Sequence, residues 1–176
     1  MPTRPRHWIR LALAGASLAA CVCADAGLQT PQEYISGFVL YVHWPDDAAI
    51  TSWQICVGYP ATGEDTRYAN LVVRDRPFTV RHVGAKDALA GCQVLDLTAA
   101  DAATATALMQ SAQAQRGLLT VGNGKAFCST GGLICLRMND PRGGFEINLS
   151  GVKNAGFSIN AKLLMLARPA GAEGTP

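Results

Sequence analysis

Between Pro31 and Pro45 the apolar positions recur at a helical spacing, with Tyr34, Phe38, Tyr41 and Val42 on one face. That spacing predicts a first helix over 31–45, with Pro31 in its opening turn and Trp44-Pro45 as its stop. The aromatic stripe reads first as core, with ligand stacking as the alternative. Beyond it the apolar runs become short. Residues 52–57 (SWQICV) form a compact run ending at Gly58, a strand. Residues 61–72 are polar and read as a weak helix or loop. Residues 78–83 (FTVRHV) alternate apolar and polar, so one strand face should be exposed, and residues 92–97 (CQVLDL) form another strand. Residues 101–116 are Ala-rich without Gly or Pro, which predicts a helix with Thr98 or Asp101 as N-cap and Gly117 as C-cap. Residues 118–121 then read as a buried strand. A strand–helix–strand order implies parallel pairing and an α/β layer fold.

The last third has a different rhythm. Residues 133–138 (LICLRM) and 145–149 (FEINL) flank Asn139-Asp140-Pro141-Arg142-Gly143-Gly144, which is turn chemistry, so the pair reads as a hairpin. Phe145, Ile147 and Leu149 face one way and Glu146 and Asn148 the other. Ser150 then reads as the cap of a helix carrying Val152 and Ala155. Gly156-Phe157 interrupts it, and Asn160 restarts it with Leu163, Leu164 and Leu166 inward; one kinked helix and two separate helices both satisfy this pattern. The expectation is one compact α/β domain over 27–168: a mixed sheet with flanking helices, and a C-terminal hairpin plus helix. The segment 169–176 (PAGAEGTP) reads as a flexible tail.

Composition changes this picture mainly at the N-terminus. Residues 1–10 carry Arg4, Arg6 and Arg10 and no acid, residues 11–20 are uncharged and mostly apolar, and small residues follow. That is the order of a secretory signal, too short in its apolar part to span a bilayer. Two processing sites compete: cleavage after Ala26, following Ala24-Asp25-Ala26, or lipidation at Cys21 in Leu18-Ala19-Ala20-Cys21. The first leaves four cysteines and the second leaves Cys23 as an odd thiol, so the even count favours a released periplasmic protein over one anchored at Cys21. Residues 1–26 hold three of the 15 basic residues and, in Asp25, one of the 13 acidic ones, so the rest balances at 12 of each. No basic stripe remains, which argues against nucleic acid as a partner.

The four cysteines of the body are Cys56, Cys92, Cys128 and Cys135. In an oxidising compartment they read as two disulfides. Three connectivities exist; sequence proximity favours Cys128–Cys135, which leaves Cys56–Cys92 as a staple between neighbouring strands. Stapling is the simpler role for the long bridge, while redox reporting stays open for the short one. Catalytic chemistry finds little support. His43 and His82 lack metal-ligand neighbours at helical spacing, so neither a cofactor nor a metal is expected. Asp46-Asp47 reads as a solvated turn. Gly122-Asn123-Gly124-Lys125 lacks the spacing of a phosphate loop and reads as a turn.

An ordered set of segments resembles the YfiR-like family of periplasmic proteins. It comprises Glu33-Tyr34 through Phe38, Tyr41 and Trp44-Pro45; Ile55-Cys56-Val57-Gly58; Cys92-Gln93-Val94-Leu95; and Leu118-Leu119-Thr120-Val121. It continues through Cys128, Gly131-Gly132-Leu133-Ile134, Phe145-Glu146-Ile147-Asn148-Leu149 and Asn160-Ala161-Lys162-Leu163-Leu164. The resemblance implies a non-enzymatic α/β domain that binds the periplasmic part of an inner-membrane diguanylate cyclase and represses it. Release then raises cyclic di-GMP and favours biofilm. It also implies that the four cysteines can form two disulfides. Glu146 and the start of the following helix, with Asn148 and Val152, would meet the partner or regulate release. The Tyr59-Pro60 stretch departs from the family's Gly-Asp-rich turn. Alternatives from other classes are a periplasmic small-ligand sensor, with Tyr34, Phe38, Tyr41 and Trp44 lining its pocket, and an envelope lipoprotein. A homodimer is a further expected partner arrangement.

Overall fold

The computed structural model describes residues 30–61, 68–140 and 143–167. The expected leader with Cys21 and the expected tail over 169–176 lie outside these residues. The chain folds into a single α/β domain around a seven-stranded mixed sheet. Helix α1 (Pro31–Tyr41) opens on a capping box: Thr30 Oγ1 accepts from the Glu33 amide, and the Glu33 carboxylate accepts from the Thr30 amide at 2.7 Å. The helix stops about one turn before the expected 45. Val42 is already extended, because β1 (Val42–His43) pairs antiparallel with β9 (Ser158–Ile159). Tertiary pairing of two β-favouring positions overrides the helical period there.

The sheet then forms from β2 (Trp53–Val57), β3 (Val72–Val73), β4 (Arg76–His82), β5 (Val94–Asp96), β6 (Leu119–Asn123), β7 (Ile134–Leu136) and β8 (Phe145–Ile147). Its order is β3-β4-β2-β5-β6-β7-β8, with the five central strands parallel and both edges antiparallel. Period-2 alternation sends Trp53, Ile55, Val57, Leu119, Val121, Ile134 and Leu136 to the core shared with α1. Cys56 and Leu95 face the opposite core, under Leu108, Met109 and Ala112 of α2 (Ala102–Ala112). Covering both faces is what a parallel sheet requires.

Asp101, rather than Thr98, caps α2; its carboxylate accepts from the Thr104 amide at 2.9 Å and the Thr104 hydroxyl at 2.7 Å. The Thr104 amide, then its hydroxyl, hold the exposed Asp101 carboxyl below its usual 3.8. A depressed folded pKa gives stability that is present above the unfolded value and lost as pH falls through the folded one. Thermal melts of Asp101→Asn from pH 5 to pH 2.5 should lose this portion of the acid dependence while keeping a competent cap. An unchanged slope would rule the contribution out. The helix ends at Ala112 with Gln113 as C-cap, not at Gly117, which instead turns the chain into β6 at φ 74.

Other expectations are corrected. Gly122-Asn123-Gly124-Lys125 is the end of β6 and the start of α3 (Gly124–Ser129), not a free turn. Asn148, not Ser150, caps α4 (Leu149–Asn154). The open choice in the C-terminal region resolves into two helices, α4 and α5 (Ala161–Leu166), separated by Gly156 at φ 89 and by β9. Of the leucines expected inward, Leu163 is buried, whereas Leu164 and Leu166 are 41% and 65% exposed, because a two-turn helix presents one narrow face. Asp47 is not merely solvated. It pairs with Arg74 and, at 2.9 Å, with Arg76, and both guanidinium groups lie over the Trp53 ring. This clamp holds the β3–β4 turn, where Arg74 and Asp75 both adopt positive φ without glycine.

Candidate functional site

The far edge of the sheet brings most of the singled-out residues together. Cys135 on β7 is the register partner of Glu146 on β8, so the two side chains lie side by side on one face. Arg137, two residues beyond Cys135, shares that face. Its Nη1 lies 3.2 Å from Glu146 Oε1, and its Nε lies 3.8 Å from Asp140 Oδ2. Glu146 is only 4% exposed, and a buried carboxylate of this kind needs a paired cation.

Above this pair sits α3. None of its residues is buried. Two features anchor it. The Phe127 ring packs over Gly122 and Gly132, where any Cβ would fall within 2.6 Å and 2.2 Å of the ring. The Cys128–Cys135 disulfide ties it to β7, with a Cα separation of 5.7 Å. Cys128 is half-buried and Cys135 buried. A depression of about 270 Å³ opens beside the bridge, lined by Lys125, Cys128, Ser129, Glu146, Ile147 and Asn148. On the other side of Lys125 lies a second one of about 350 Å³, bordered by Asn123, Arg137 and Asp140.

The structure thus gathers Cys128, Cys135, Glu146 and Asn148. The contact surface expected of Glu146, Asn148 and Val152 changes in one respect. Glu146 and Val152 are buried, at 4% and 3%, so neither offers its side chain to a partner in this conformation. Asn148 is occupied as a cap: Oδ1 accepts from the Gly151 amide and the Ser150 hydroxyl, and Nδ2 donates to the Gly132 carbonyl. What faces outward here is Lys125, Ser129, Ser150 and Leu149, the last 59% exposed. Arg137 escaped attention in the sequence, although the alternation of LICLRM already puts it level with Cys135 and opposite the Glu146 strand.

Cys56 and Cys92 lie elsewhere, bridged across β2 and the entry to β5 with a Cα separation of 5.8 Å. Both are buried, and the Arg81 guanidinium lies 3.4 Å and 2.9 Å from their sulfurs. At the carboxyl end of β5, fully buried Asp96 accepts from Tyr59 and Tyr68 hydroxyls and from the Thr98 amide and hydroxyl. That carboxylate is a satisfied structural knot, one that the polar reading of 61–72 did not anticipate. His82, expected on an open strand face, is half-buried, with Nδ1 2.9 Å from the Tyr59 carbonyl oxygen. Among the described residues no group of three His, Cys, Asp or Glu side chains is placed to hold a metal. Among them, too, no helix is long and apolar enough to cross a membrane.

In a comparison against family models, a YfiR/HmsC-like model matches residues 29–168, the whole of the described domain. The chain belongs to the YfiR/HmsC-like family, which implies a periplasmic regulator of diguanylate cyclases.

Proposed function

We propose that this protein is a non-catalytic periplasmic repressor. It binds the periplasmic domain of an inner-membrane diguanylate cyclase and holds it inactive, which lowers cyclic di-GMP and biofilm formation. The Cys128–Cys135 bridge sets its affinity. The observation that carries this reading is the register of Cys135 against Glu146: one disulfide pins α3 directly beside a buried ion pair. Two-electron reduction by an external dithiol would convert the bridge to two thiols and leave α3 held chiefly by Phe127. The outward face formed by Lys125, Ser129 and Leu149 would then lose its fixed shape. A regulator acts only through such a difference between states, since a partner must prefer one of them.

The decisive assay in cells is cyclic di-GMP in a deletion strain and in the same strain with the gene restored. A rise that restoration reverses is expected; equal levels would reject the repressor. In vitro, the paired Cys128→Ser and Cys135→Ser change should alter affinity for the cyclase domain at least tenfold. Binding that survives unaltered would remove the redox element while leaving the partner in place.

A further inference from the structure

A groove of about 300 Å³ runs between α1 and α5, closed at one end by the start of β8. Its walls are Tyr34, Phe38, Tyr41, Phe145, Leu163 and Leu166. Three of the four aromatic residues expected to line a ligand pocket therefore do line a cavity. The fourth, Trp44, packs instead on Trp53 and Phe157.

Two observations point to an occupant. The first is Gly37, which lies in the groove wall near the middle of α1. Glycine is the poorest helix former after proline, and here nothing in the packing demands it. A Cβ at this position would meet no atom within 4 Å, and the residue is absent from the positive-φ glycines. The missing side chain leaves the groove open and serves no contact within the fold. The second is charge. Among the described residues lining the groove, Glu33 is the only charged one. Its Oε2 accepts from the Thr30 amide and hydroxyl, and no basic side chain among the described residues pairs with it. Aromatic faces and a carboxylate with no basic partner among the described residues both attract a cation with an apolar body.

We propose that this groove binds a small amphipathic amine: a ring or short alkyl body against Tyr34, Phe38, Tyr41 and Phe145, with its ammonium group at Glu33. The site lies apart from the α3–β8 face and stands whether or not a cyclase is the partner.

The test is calorimetric titration at low ionic strength with tryptamine and with indole-3-propionate, which carries a carboxylate in place of the ammonium group. Tryptamine should saturate the protein and bind at least tenfold more tightly than the acid. Glu33→Gln preserves the capping box, because glutamine serves at that helical position, and should weaken tryptamine about tenfold. Gly37→Leu fills the groove and should abolish binding without lowering the melting temperature. Failure of tryptamine to saturate at millimolar concentration would overturn the proposal. So would equal affinity for the two probes, or undiminished binding by folded Gly37→Leu. Should Gly37→Leu not fold, Glu33→Gln decides: unchanged tryptamine affinity overturns the proposal, and the tenfold loss sustains it.

Discussion

Replacing Cys56 and Cys92 together by serine is expected to lower stability by about 4 kcal/mol, more than the same change at the other disulfide. The bridge joins residues 36 apart, and loop-closure entropy for a ring of that size amounts to about 4 kcal/mol before any native strain. It also lies in the interior, joining β2 to the entry of β5 under the Arg81 guanidinium. Serine hydroxyls would be left in an apolar layer beside Leu89 and Leu95. The corresponding change at Cys128 and Cys135, separated by seven residues, should cost about 2.5 kcal/mol on the same model. Urea denaturation of both pairs under non-reducing conditions checks the ranking, and an equal or larger loss at the short pair would defeat it. Accessibility orders their chemistry in the same way: half-buried Cys128 should let mild reductant open the short bridge first, leaving the buried long bridge intact.

The second large effect is an asymmetry between Arg137 and Glu146. Removing Arg137 as Arg137→Met strands a carboxylate that is 5% exposed at its side chain, and should cost about 3 kcal/mol. Glu146→Gln leaves the guanidinium, 23% exposed and still near Asp140, and should cost about 1 kcal/mol. A joint Arg137→Met and Glu146→Leu variant should recover part of the first loss, since neither charge is then buried alone. Equal losses for the two single variants would mean that Glu146 is better solvated than its burial indicates. The same series bears on function. A partner affinity that follows Glu146 although the residue is buried would show that it acts by positioning the α3–β8 face.

Much of this architecture was legible because the local signals agreed with the final packing. The runs at 52–57, 92–97 and 118–121 became β2, β5 and β6 with ends shifted by one or two residues. Short apolar runs separated by an Ala-rich helix leave few arrangements other than parallel strands. The hairpin at 133–149 followed from its turn residues, and both disulfides followed from counting and proximity. Errors concentrated where a distant segment decided the outcome. Val42 and His43 left the helix because Ser158 and Ile159 were there to pair with them. Asp47 became half of an ion clamp because Arg74 and Arg76 reach it from a hairpin that its own neighbours do not announce.

The candidate site shows the same division. Its members were visible as residue types: two cysteines seven apart, a glutamate in an alternating strand and an asparagine before a helix. Burial of Glu146 was not visible, because alternation marks two faces without saying that a second layer covers the polar one. Helix α3 supplies that layer, and Phe127 seats it on two glycines 10 residues apart in the chain.

Taken by itself, then, the order of residues determined the α/β class and the succession of α1, β2, β5, α2, β6, β7 and β8, and it favoured the cysteine pairing that the fold adopts. Each depends on periodicity, turn chemistry or chain separation, which are properties of neighbours along the chain. Only the tertiary structure decided that Glu146 and Val152 face inward, that Arg137 completes the ion pair, and that an aromatic groove stays open over Gly37. Those outcomes depend on which segments come to cover one another, and close packing between segments distant in sequence settles that.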